Sequence, residues 1–171
     1  MASRYLTGLP ALIVLTIFPV CISTQPESRK DDTVQMDNRT WSRRTTKQPE
    51  IVYSKMVPSN QAFHAWDERI EIATIPVSIS DDTINSFQLR RKYELFKDCP
   101  TGRWNVLEYE TDLVIYEFEH QKCDPYEHRL VVMQRKENRG ILFVYRSRKY
   151  LGEEQLKHWI EIGKKAHLWN R

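Results

Sequence analysis

From Ile51 to Arg146 the chain runs through short apolar-rich stretches separated by clusters of turn residues. The stretches are Ile51–Val57, Ile70–Ile79, Phe87–Phe96, Trp104–Glu110, Leu113–His120, Arg129–Arg135 and Ile141–Arg146, and "PSN", "SDD", "CPTG", "CDP" and "ENRG" fall between them. Runs of this length, with turn signals and no helical stretch between them, predict an antiparallel meander that curls into a sandwich or a closed barrel.

Alternation assigns faces to these strands. In Phe87–Phe96 the apolar set is Phe87, Leu89, Tyr93 and Leu95, opposed by Gln88, Arg90, Lys92 and Glu94, with Arg91 the exception. One face is therefore dry and the other wet. In Leu113–His120 only Val114, Tyr116 and Phe118 form an unbroken apolar alternation. "LVVM" at 130–133 and "ILFVY" at 141–145 are apolar on both faces, the pattern of strands covered on two sides.

The period changes after Arg146. Leu156, Trp159, Ile160 and Gly163 recur at helical spacing, Glu153 and Glu154 open the segment, and Lys164, Lys165 and His167 close it in the order that opposes the helix dipole. A helix near 152–168 thus covers the outside of the last strands. Leu142 and Val144 are expected beneath it, which leaves Phe143 and Tyr145 for the interior beside Tyr116 and Phe118. A one-residue register slip reverses that assignment. The fold class is all-β with a C-terminal helix, an antiparallel up-and-down β-barrel of seven to eight strands spanning 51–171.

The first fifty residues differ. Arg4, the apolar core "LPALIVLTIFPV" and Cys21-Ile22-Ser23 make 1–23 a secretory signal peptide, and so small an apolar run is too short to span a bilayer. A lipoprotein reading of Cys21 is poor, because Pro19 and Val20 precede it. Residues 24–50 are dense in charge and nearly free of aliphatic residues, so they read as an extended, poorly ordered arm. Within it Asn38-Arg39-Thr40 is an N-glycosylation sequon, and Trp41 is the one apolar anchor, either a plug for the barrel end or exposed.

Charge and cysteine content narrow the function classes. The formal net charge is +3, one lower once Arg4 leaves with the signal, too small for a nucleic-acid footprint. With Cys21 removed, Cys99 and Cys123 remain, and two cysteines in an oxidising compartment point to one disulfide; two buried thiols are the alternative. Glu108, Glu110, Asp112, Glu117 and Glu119 sit at alternate strand positions and read as a solvent face rather than a catalytic carboxylate pair. His120, Cys123 and His128 match no compact zinc spacing, and no cofactor motif is present. The basic clusters Arg90, Arg91, Lys92 and Arg146, Arg148, Lys149 read as solvated strand ends. The chain is not read as an enzyme.

Arg69–Cys99, "RIEIATIPVSISDDTINSFQLRRKYELFKDC", together with "ENRGILFVYRSRKYLGEEQLKHWIEIGKKAHL", resembles the lipocalin family, most of all its alpha-1-acid glycoprotein (orosomucoid) group. The first strand lacks the family's Gly-x-Trp, and no cysteine follows the helix to pair with Cys99. In a meander the strands ending near Cys99 and Cys123 finish at one end of the barrel, so those two can pair with each other. The resemblance implies a secreted carrier holding a small hydrophobic molecule in the barrel. The expected ligand-binding residues are Tyr93, Tyr116, Phe118, Phe143 and Tyr145, whose rings supply area and whose hydroxyls orient the ligand. The alternative is a secreted protein-interaction or immunomodulatory module with a filled barrel and a protein partner. Neither reading involves nucleic acid or a membrane span.

Overall fold

The computed structural model describes residues 28–48, 51–76, 82–120, 122–136 and 139–169. The expected signal peptide, 1–23, lies outside them. In chain order the elements are β1 (Ser28–Met36), β2 (Arg39–Lys47), β3 (Val52–Pro58), β4 (Glu68–Pro76), α1 (Asp82–Asp98), β5 (Arg103–Glu110), β6 (Leu113–Glu119), β7 (His128–Lys136), β8 (Arg139–Ser147) and α2 (Glu153–Lys164), with a 3-10 turn at Ala166–Leu168. All the strands join one sheet of order β1-β2-β3-β4-β8-β7-β6-β5, and every pairing is antiparallel. The all-β architecture with a C-terminal helix is the one the alternation predicts.

Three features depart from that expectation. The sheet stays open, with β1 and β5 as its edges, because the last strand inserts between β4 and β7 and joins two four-stranded meanders side by side. Within the arm expected at 24–50, the described residues from Ser28 to Lys47 form a hairpin instead, and 24–27 and 49–50 lie outside the described residues. Its turn residues Asp37 and Asn38 have φ of 50° and 63°, the backbone that a two-residue type I′ turn requires and that Asp and Asn tolerate. Cross-strand ion pairs, Asp32 with Arg43 and Asp31 with Arg44, order the charged strands, and Trp41 is fully buried, so the anchor is a core residue. The third departure is α1, which covers the stretch expected to be the strand Phe87–Phe96. That stretch holds no β-branched residue and is rich in Leu, Arg, Lys, Gln and Glu, all strong helix formers. Glu94 pairs with Arg90 at i,i+4 and Arg91 at i,i+3, contacts available only on a helix. Leu95 is buried, whereas Leu89 and Tyr93 face solvent. Cys99 and Pro100 follow the last turn and stop it.

The main core lies between the sheet and α2. Trp159 stacks on Tyr145 with ring centroids 3.9 Å apart and meets Trp41 edge-on at 5.9 Å. Gly163 lets α2 sit close to β7 and β8, since a Cβ there would lie 2.7 Å from a Val132 methyl and 2.8 Å from the Phe143 ring. The Gln155 side-chain oxygen accepts from the Gly152 amide at 3.2 Å and fixes the first turn. Arg43 donates to the Trp169 carbonyl at 2.8 Å, which ties the hairpin to the C-terminal tail.

Candidate functional site

The face of the sheet opposite α2 is charged at one end and apolar at the other. Register places Arg69 of β4 opposite Arg146 of β8, and Arg146 opposite Arg129 of β7, so three guanidinium groups stand in one row. The next row is Glu71, Val144, Val131 and Tyr116, and the one after it Ala73, Leu142, Met133 and Val114. Like charges directly opposite one another repel, and two carboxylates offset this. Glu71 bridges Arg69 at 2.8 Å and Arg146 at 3.3 Å, and Glu127 bridges Arg146 at 3.4 Å and Arg129.

These arginines are largely withdrawn from water, their side chains only 14 %, 20 % and 16 % exposed for Arg69, Arg146 and Arg129. Burial holds the Arg69 and Arg129 guanidiniums below the ordinary arginine range, and the charge of Arg146 adds to the effect. Lys55, opposite Glu71 on β3, is lowered by burial and by Arg69. Burial and the neighbouring Glu71 raise the Tyr53 hydroxyl. Over the rim, the Trp66 ring lies between Arg69 and Arg148, 4.3 Å from each.

α1 forms the opposite wall through Leu95, and between the helix and the sheet lies a cleft of about 250 Å³. Its floor is Tyr116, Val131, Leu142 and Val144, and Arg146 and Arg129 close its charged end. Trp104 of β5 stacks on Tyr116 with centroids 4.0 Å apart, which fixes the tyrosine ring. Burial raises the Tyr116 hydroxyl above its ordinary value of 10.0. The Cys99–Cys123 disulfide pins the end of α1 to the β6–β7 loop, and Phe118 packs there against Leu95 and Cys99.

Of the five side chains expected to line one pocket, Tyr116 lines this cleft and Phe118 lies beside it. Tyr93 does not, for it is on the outer side of α1 and 74 % exposed. Phe143 and Tyr145 are on the other face of the sheet, under α2, while Leu142 and Val144 share the face of Tyr116. The expected parity of β8 is thus reversed: Trp159 takes Tyr145 as its stacking partner and Gly163 admits the Phe143 ring. Asn38 is exposed at the hairpin turn, accessible to a glycan.

The arginine row escapes a reading of the sequence because its members are far apart along the chain. Arg146 falls in a cluster read as solvated strand ends, yet it is mostly buried and paired. The available signal is parity: Arg129 alternates with Val131 and Met133, and Arg146 with Leu142 and Val144, so each cation shares a face with buried aliphatic residues.

A second polar group lies on the α2 side. Glu117, expected on a solvent face, is buried, and it accepts from Asn105 at 3.1 Å and pairs with His128 Nε2 at 3.1 Å. The Leu151 amide donates to His128 Nδ1 at 3.0 Å, so Nε2 carries the proton and the ring is neutral. This dyad holds the loop that leads into α2. Among the described residues no group of three His, Cys, Asp or Glu is placed to hold a metal ion, and no helix is long and apolar enough to cross a membrane.

No protein-family model matches the chain, and no curated protein does. Among solved structures it is similar to the crystal structure of the Saccharomyces cerevisiae Ran-binding protein Mog1p, at 11 % identity and a TM-score of 0.44, over 84 % of this chain and 95 % of that one.

Proposed function

We propose that this chain is a secreted carrier that takes one small amphipathic molecule into the cleft between the sheet and α1. The observation that carries the reading is the make-up of that cleft, an apolar floor of Tyr116, Val131, Leu142 and Val144 running into a charged end where Arg129 and Arg146 stand with Glu71. Small-ligand sites combine an apolar lining with a few convergent polar groups. The volume of about 250 Å³ is just below the usual span of about 300–1,000 Å³ and suits a ligand of modest size. The apolar segment at the N-terminus and the Cys99–Cys123 disulfide support an extracellular setting. The lipocalin resemblance supports the carrier class but not the position of the pocket, which lies under a helix beside an open sheet.

Titration calorimetry of the full chain with 1-octanol tests the reading. Wild type is expected to take up one molecule, and Val131→Phe, which fills the floor, is expected to abolish uptake while the circular dichroism is retained. A second reading, the protein-interaction module, is favoured by Val106, Leu107 and Tyr109, which stand exposed on the edge strand β5. An unpaired strand edge is a template for another chain. If neither octanol nor a charged relative of it binds wild type, the carrier reading falls and the interaction module replaces it.

A further inference from the structure

The charge balance at the closed end of the cleft defines the chemistry of the ligand's polar end; this inference rests on the carrier reading above. Arg69, Arg146 and Arg129 stand side by side on β4, β8 and β7, and among the described residues Glu71 and Glu127 are the carboxylates paired with them. The donors are correspondingly under-used. Arg146 directs its two terminal nitrogens at Glu127 and Glu71 across 3.4 Å and 3.3 Å, and its buried Nε has no partner. The buried Nε of Arg69 has none either. Arg129 commits its Nε to Glu127, and among the described residues its terminal nitrogens have no acceptor. On the facing helix, Glu94 is held by Arg90 and Arg91, and Asp98 lies on the exposed part of the wall. Charges withdrawn from water persist when paired and hydrogen-bonded, and among the described residues this row has three guanidiniums and two carboxylates. Arg69 lies under Trp66, which leaves Arg146 and Arg129 as the two of the row that border the cavity, facing Arg91 of α1, which is paired with Glu94.

We propose that the ligand is a monocarboxylate, its head seated against Arg129 and Arg146 as the third anion of the row and its apolar body laid along Tyr116, Val131 and Val144. A planar carboxylate matches the guanidinium fork, and pairing it there relieves the crowding of like charges. A neutral head leaves the row one anion short. A cationic head worsens the imbalance.

Calorimetric titration of the full chain at neutral pH with octanoate, 1-octanol and octylammonium tests this, since the three share one tail. Octanoate is expected to bind about tenfold or more tighter than octanol, and octylammonium weaker than octanol. Within Arg129→Gln, octanoate is expected to bind no tighter than octanol, and Arg129→Lys is expected to keep part of the preference. The wild-type ranking needs no variant, so it decides the matter even if Arg129→Gln does not fold. Octanol binding as tightly as octanoate overturns the carboxylate proposal and leaves the cleft as a ligand site. Failure of all three to bind overturns both.

Discussion

His128 is fully buried, with both ring nitrogens engaged by Glu117 and the Leu151 amide. Burial depresses its pKa below the ordinary 6.5, with Glu117 opposing in part. The unfolded chain therefore takes up this proton more readily than the folded one. The resulting stability is complete above pH 6.5 and is lost as the pH falls from there through the depressed folded value. We expect the melting temperature to drop between pH 7.5 and 5.5, and to drop less in His128→Asn; equal drops in both proteins would remove His128 as the cause. Asp32 acts in a separate window. Its hydrogen bond to Arg43 holds it below the ordinary 3.8, so its contribution is present above that pH and disappears only in stronger acid. The sequence shows His128 but not its burial, which comes from strands and a loop distant along the chain.

α2 attaches to the sheet through a few large contacts, so single substitutions on it have large effects. Trp159 is almost wholly buried between Tyr145 and Trp41, and Trp159→Ala is expected to cost about 3–5 kcal/mol in urea unfolding. Gly163→Ala places a methyl within 2.8 Å of the Phe143 ring and 2.7 Å of Val132, which should cost about 1–3 kcal/mol of overpacking strain. A gain in stability would mean that the helix shifts freely on the sheet. α1 is held differently, mainly by Leu95 and Phe96 and by the disulfide to Cys123. Cys99→Ser with Cys123→Ser opens a loop of sequence separation 24, and the unfolding free energy should fall by about 3–4 kcal/mol in the chain-entropy picture. At this scale much was legible. The period of α2, the cysteine pair and six strand positions are readable from local pattern, while α1 was hidden because its alternation of apolar and polar residues imitates a strand.

Across the whole molecule, stability should be graded from the middle of the sheet outward. β4, β8 and β7 are paired on both sides, and α2 packs on β7 and β8. Hydrogen exchange read by mass spectrometry is expected to be slowest in these strands and faster in α1 and in the edge strands β1 and β5. Uniform protection would contradict the graded attachment of α1. Short antiparallel strands, the covering of 130–133 and 141–145 on both faces, and an amphipathic helix following them on the sheet are all written in the local pattern of the chain. These follow from periodicity, a local property in which each side chain's direction depends on its near neighbours. Packing between distant segments sets the insertion of β8 beside β4 in an open sheet, the docking of the charged hairpin that turns at Asp37 and Asn38, and the facing of Phe143 and Tyr145 toward α2. The same packing brings Arg69, Arg129 and Arg146 into one row. Alternation says that a strand has two faces; which partner covers each face, and which distant residues come to share it, depends on pairings and packing between segments that no local pattern encodes.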